Sequence, residues 1–191
     1  VKELSRYCSN YREAHWDAAR WLCDYLLRTQ GLKLRFQKKG GLDLKCFCDA
    51  DYNGSSDERL STTAWIIYLG GCPLVWKSCP QKFASKSVGE AEYGSLSSAT
   101  GEVLYLRQLL ISLDFEQKAV DIFGPAEAEE ILRGAREVNK YPEAVVYSDS
   151  TTAIANGKLP VGWLSERLKH CQNHLHVVRQ YISMGWVKLR H

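Results

Sequence analysis

No stretch of this sequence is apolar over the roughly 20 residues that a membrane-spanning helix needs, so a transmembrane protein is excluded. The opening residues, VKELSRYCSNYREAHWD, lack the apolar run of a secretory signal. Also missing are a glycine-rich phosphate loop, a nucleophile elbow and a cysteine–histidine pairing, which sets aside the commonest nucleotide-binding and covalent-catalysis motifs. There is no internal repeat and no low-complexity tract. Seven cysteines make an odd number at irregular spacings, and Cys46 and Cys48, two apart, fit a strand rather than a zinc knuckle. Reduced thiols in an intracellular compartment, cytoplasmic or nuclear, are the expectation. A strong charge of either sign is absent too: the net charge is +3.

What is present is globular composition. The 191 residues, 45% hydrophobic and 25% charged, suffice for one domain with a small appendage, and a chain of that size needs no disulfide or metal to hold its core. Charge is uneven along it. Residues 116–143 hold seven acids and four bases, a local −3 that leaves about +6 on the rest. A mildly basic remainder is compatible with a phosphate-bearing partner, and equally with a solvated basic face.

Residues 11–29 place Ala14, Ala18, Leu22, Tyr25 and Leu26 on one helical stripe, with Gly31 as its stop. Leu42, Leu44, Cys46 and Cys48 then alternate with Asp43, Lys45, Phe47 and Asp49, a strand that ends in an acid. A polar loop leads to the β-prone run Thr62–Leu69, and Gly70-Gly71 turns it into a third strand, Leu74–Trp76. Helical spacing returns in Glu92, Leu96, Ala99, Val103, Leu106 and Leu110. The acidic segment 116–143 interrupts, with one surface helix expected after Pro125. Ala144–Tyr147 is a short strand before a short helix that stops near Gly157. Leu164, Leu168, Cys171, Leu175, Val178 and Ile182 form a second long stripe, and Trp186–Leu189 a last strand. The fold class is therefore α/β: a mixed sheet of three antiparallel strands followed by parallel ones, flanked by helices.

Three acids stand out against this background. Asp49 and Asp149 each end a β-run, and Glu92 lies on the apolar stripe of its helix, where it faces the sheet. Inward carboxylates are costly unless neutralised, and no Arg or Lys occupies the adjacent positions. Hard divalent cations such as Mg²⁺ prefer oxygen ligands and would neutralise them. Two such ions about 4 Å apart serve phosphodiester cleavage. Asp149 fits equally well as the N-cap of the helix after it. Glu90 has a separate explanation, because Ser87-Val88-Gly89-Glu90 is a capping box. Asp51 falls in a turn, where acids are ordinary. His170 and His174, four apart, lack the glutamate and further ligands of a zinc site and read as a solvated or phosphate-facing surface. Lys77, Lys82 and Lys86 flank the start of the Glu92 helix and could touch phosphates. The tryptophans and tyrosines at regular spacing read as core rather than as a base-stacking platform.

Several motifs stand in order along the chain: Cys48-Asp49-Ala50-Asp51-Tyr52, D-E-R-L-S-T-T at 57–63, Leu69-Gly70-Gly71, Gly89-Glu90-Ala91-Glu92-Tyr93 and Leu104–Leu110. Together they resemble the ribonuclease H domain of copia-type LTR retrotransposons. Further along stand Tyr147-Ser148-Asp149-Ser150 with Ala153-Ile154-Ala155, Arg167-Leu168-Lys169-His170, His176-Val177-Val178-Arg179 and Gly185–Leu189. The N-terminal S-R-Y-C-S-N with His15-Trp16 and Tyr25-Leu26 looks like the connection leading out of a reverse transcriptase. On that footing residues 1–40 are a connection segment, and 41–191 a ribonuclease H-like domain with an acidic insertion at 116–143. The resemblance implies cleavage of the RNA strand of RNA–DNA hybrids with two Mg²⁺ (or Mn²⁺) ions held by Asp49, Glu92 and Asp149. Hybrids of this kind are recognised by shape and 2′-hydroxyls. Lys82, Lys86, Lys169 and His170 would touch the nucleic acid, and a reverse transcriptase domain or another protein subunit would be a partner.

The sequence departs from the pattern in three places. The fourth carboxylate of the family lies on a helix beyond the last strand, and the sequence reaches only His191, short of such a helix. Gln172 stands where the family's K-H-I-D stretch has its Asp, and the insertion 116–143 is longer than the pattern implies. A competing expectation is thus a catalytically inactive, domesticated module that serves as a structural or protein-binding subunit. A hybrid-binding module that grips without cutting is the third.

Overall fold

The computed structural model describes residues 1–36, 43–53, 60–112, 124–125, 143–163 and 172–191. The chain divides into two compact units, Val1–Arg35 and Phe36–His191. In the first, α1 (Lys2–Ser5) precedes α2 (Glu13–Arg28). His15 Nδ1 accepts from the Arg12 backbone N–H at 3.0 Å and caps the start of α2. The helix ends at Thr29, whose N–H turns back to Tyr25 and Leu26, so it stops before Gly31 is reached. The apolar stripe has the expected phase but α2 has no buried residue, and Leu26 stays 57% exposed.

The second unit is built on a five-stranded sheet. In chain order it contains β1 (Leu44–Asp51), β2 (Thr62–Leu69), β3 (Cys72–Pro80), α3 (Val88–Ser112), β4 (Ala144–Ser148), α4 (Thr151–Gly157), α5 (Gln172–Ser183) and β5 (Val187–Arg190). The strand order is β3-β2-β1-β4-β5. β1 to β3 form an antiparallel meander, and β4 and β5 add to β1 in parallel, as the sequence pattern predicts. Gly70 and Gly71, at φ of 56° and 81°, take the left-handed backbone of the tight β2–β3 turn that side chains resist. β3 runs well beyond the expected Leu74–Trp76, because both of its ends pair with β2. Leu42, the helix expected after Pro125 and the first half of the stripe from Leu164 lie outside the described residues.

Alternation decides what is buried. Leu44, Cys46 and Cys48 of β1 and Trp65 and Ile67 of β2 turn to one side, where Leu96, Ala99 and Val103 of α3 meet them. Val146, Val178, Val187 and Leu189 extend this core under β4 and β5. The opposite side shows Phe47, which stacks on Tyr147 at 4.8 Å and meets Tyr68 edge-on at 5.7 Å. Trp76 is 60% exposed, and Trp16, Trp21 and Trp163 are exposed as well. The reading of the spaced aromatics as core therefore holds for Trp65 and Tyr93 and fails for these. Strand alternation puts Phe47 and Trp76 on the face away from α3, as the alternation of β1 already implies for Phe47.

The start of α4 decides between two readings of Asp149. Ser150 Oγ, not the Asp149 carboxylate, accepts the Ala153 N–H at 3.1 Å. Ser150→Ala is therefore expected to lower stability by about 1 kcal/mol in urea unfolding. A change near zero would return the capping role to Asp149.

Candidate metal centre

β1 and β4 lie side by side and run in parallel, with Cys48 opposite Ser148. Asp49 and Asp149 are the next residues on the two strands, so they emerge together at one end of the sheet. This is where the strand order turns: the chain leaves β1 for β2 on one side, while β4 joins on the other. Crevices at such points are the usual ligand sites of open α/β sheets. α3 packs over the same strands, and its first inward-facing turn brings Glu92 to them. Ligand oxygens of Asp49, Glu92 and Asp149 all lie within 4.8 Å of one another. The structure thus gathers three acids that stand 43 and 57 residues apart in the chain.

Of the three acids expected to turn inward, only Glu92 is buried; Asp49 and Asp149 are exposed at the strand ends, where water solvates them. Glu92 is 8% exposed, and its Oε2 finds no hydrogen-bond partner among the described residues. Burial first, then the charges of Asp149 and Asp49, push its pKa from 4.5 up to about 7. The Cys48 thiol beneath the site feels the same field. Burial chiefly, and then Glu92, Asp49 and Asp149, raise it to about 12, so it stays protonated and donates to the Tyr147 carbonyl at 3.4 Å. Asp49 is partly occupied, its Oδ1 accepting the Ala50 N–H at 2.7 Å. A divalent cation fits this donor set: three carboxylates converge, one has a buried oxygen without a partner, and the ligands are hard oxygens. Among the described residues the cluster holds three carboxylates.

The surroundings sort the remaining sequence candidates. Glu90 does cap: its backbone N–H donates to Ser87 Oγ at 3.2 Å, and its carboxylate accepts the Lys86 N–H at 2.6 Å. Lys82 and Lys86 sit on the exposed segment that leads into α3. Lys169 and His170 lie outside the described residues. His174 has its Nδ1 3.1 Å from Ser97 Oγ and its ring stacked on Phe83 at 5.4 Å, which gives it a packing role between α5 and α3. Beside Asp49 a hollow of about 290 Å³ is lined by Phe47, Ala64, Trp65, Ile66 and Lys77. Lys77 Nζ stands 6.0 Å from the Trp65 ring centre.

Two polar groups escape sequence reasoning. Gln81, buried, gives its side-chain amide to the Ala91 carbonyl at 2.8 Å and to Thr63 Oγ1 at 3.1 Å, tying the start of α3 to β2. Ser95, fully buried, donates to the Asp49 carbonyl at 2.6 Å. The only sequence signal for Ser95 is a small polar residue three positions after Glu92, on a helix face that otherwise reads as core.

No family model matches the chain. Among curated proteins it is 28% identical over all of its length to the retrovirus-related Pol polyprotein from transposon RE2 of Arabidopsis thaliana, covering 11% of that protein. It is 31% identical over 96% of its length to the corresponding polyprotein from transposon TNT 1-94 of Nicotiana tabacum, covering 12% of it. The chain thus spans about a tenth of these relatives. Over 56% of its length it is 35% identical to secreted RxLR effector protein 161 of Plasmopara viticola and covers 75% of that protein. Among solved structures, LC11-RNase H1, isolated from compost by a metagenomic approach, overlaps 78% of this chain and 83% of its own. The TM-score is 0.43 and the identity 15%.

Proposed function

We propose that this chain, which is related to copia-type LTR-retrotransposon Pol polyproteins, is a ribonuclease H-like, retrotransposon-derived module that holds a cation at one site but acts as a structural or protein-binding component rather than as an efficient nuclease. The observation that carries the cation site is the cluster of three carboxylates gathered within 4.8 Å of one another among the described residues. Asp49, Glu92 and Asp149 would hold the cation. When bound, it supplies the positive charge that lets three neighbouring acids ionise together, and it can neutralise charge on a phosphoryl oxygen.

Two further observations support a binding role. Phe47 and Trp76, 46% and 60% exposed on the sheet face away from α3, form the kind of apolar surface that meets another protein. The similarity to a secreted effector, of which this chain covers 75%, supports such sequences having uses outside a polyprotein. Intracellular action, cytoplasmic or nuclear, fits six unpaired cysteines among the described residues. No described helix is long and apolar enough to cross a membrane.

The second reading is hydrolysis of the RNA strand of an RNA–DNA hybrid with two cations, Lys82, Lys86, Lys169 and His170 touching phosphates. It is favoured by the convergence of all three acids at the strand ends. Incubation of the protein with a labelled hybrid in Mg²⁺ or Mn²⁺ separates the two. The expected result is Mn²⁺ binding without appreciable cutting. Cleavage confined to the RNA strand and abolished by Asp49→Asn would overturn the non-catalytic reading and establish the nuclease.

A further inference from the structure

We infer that Ser95 is a positioning residue of the cation site, setting the distance between the helix that presents Glu92 and the strand that carries Asp49. The inference rests on Asp49, Glu92 and Asp149 being cation ligands, as proposed above. Ser95 lies three residues after Glu92 on α3, so the two share a face one turn apart. Its hydroxyl donates to the Asp49 carbonyl at 2.6 Å and lies 3.1 Å from the Ala64 carbonyl. Asp49 and Ala64 are register partners across β1 and β2. A hydroxyl has a single proton, which the two carbonyls must share. One helical side chain thereby anchors the backbone of a ligand residue together with its neighbour on the next strand.

A second buried hydroxyl on the same helix shows the contrast. Thr100 Oγ1 returns to its own helix, donating to the Leu96 carbonyl at 2.8 Å, and reaches no strand. Ser95 sits on the core face, where alanine would have the better helix propensity. What serine adds there is the bond to the strand. Gln81 ties the start of α3 to β2 independently, so removal of the Ser95 hydroxyl should loosen the site without detaching the helix. Loss of groups that orient ligands typically weakens metal binding roughly 10- to 100-fold. Ser95 holds a ligand's backbone rather than its carboxylate, which argues for the lower end.

Mn²⁺ titration followed by the electron paramagnetic resonance signal of free Mn²⁺, well below the melting temperature of each protein, tests this. Ser95→Ala is expected to raise the Mn²⁺ Kd about 10-fold, and Thr100→Ala to leave it within about twofold of wild type. Ser95→Cys, which keeps a side chain but donates weakly, should also weaken binding, and it stands in if the alanine variant does not fold. A Ser95→Ala protein of lowered Tm and unchanged Kd would make the bond purely structural and overturn the inference. Absence of Mn²⁺ binding by the wild type would instead overturn the cation site itself, and this inference with it.

Discussion

Glu92→Gln is expected to stabilise the cation-free protein at pH 8 by about 2–3 kcal/mol while removing its capacity to bind Mn²⁺. The buried Glu92 carboxyl has its pKa raised from 4.5 to about 7, by burial first and by Asp149 and Asp49 after it. A raised folded-state value means that the native protein binds the proton more tightly than the unfolded chain does. The associated stability is complete below about pH 4.5 and is lost as pH rises through about 7. A tenfold difference in proton affinity between the folded and unfolded chain corresponds to about 1.4 kcal/mol, which sets the size of the effect. Glutamine keeps the shape, cannot ionise, and offers an amide donor to its two acidic neighbours. In urea unfolding with chelator present, wild type and variant should coincide near pH 4 and separate progressively between about pH 4.5 and 7. Equal stabilities at pH 8 would show that Glu92 carries no penalty. With Mn²⁺ the order should reverse, since binding stabilises only the protein that binds. Mn²⁺ affinity should fall by at least roughly 100-fold in the variant, because a ligand itself is lost rather than its support.

Arg179→Met is expected to cost about 3 kcal/mol of stability. Arg179 is buried on α5, and its guanidinium donates from Nε to the Asn156 carbonyl at 2.9 Å and from Nη1 to the Trp163 carbonyl at 2.6 Å. One side chain thus joins three segments: α5, the end of α4 and the turn after it. Methionine retains most of the volume but leaves two carbonyls without their charged donor, each worth about 1.5–3 kcal/mol. Lysine should rescue only in part, because an ammonium cannot reproduce the planar fork that reaches both oxygens. Urea unfolding of Arg179→Met and Arg179→Lys checks this. A loss below about 1 kcal/mol would mean that water satisfies the carbonyls.

Much of the fold is legible along the chain because its signals are local. A stripe stepping by four and three reads as a helix with one apolar face, and in α3 that face packs on the sheet, with Leu96, Ala99 and Val103 fully buried. Glu90 and Glu92, both buried and only two residues apart, differ in their partners: the Lys86 N–H donates to the Glu90 carboxylate, while Glu92 Oε2 has no partner among the described residues. The paired glycines mark the β2–β3 turn. Equally local reasoning singles out the three acids, as strand ends and a helix head without nearby cations.

Other features lie in the relation between distant segments. Whether Asp149 caps α4 or faces the site is open in the linear sequence, and it is Ser150 that holds the Ala153 N–H. Asp and Ser are both good caps, and linear order cannot choose between them. The α2 stripe has helical phase, but phase does not say what covers it, and none of its residues is buried in its own unit.

By itself, then, the sequence determined the order of the elements, the apolar phase of each and the identity of the three acids, because each follows from the geometry of one segment. The tertiary structure alone decided that those acids meet within 4.8 Å, that Glu92 pays for its place with a pKa near 7, and that Ser95 clasps the backbone of Asp49. These depend on β4 pairing beside β1 and on α3 packing across both strands, and pairing between segments tens of residues apart leaves no mark in local spacing.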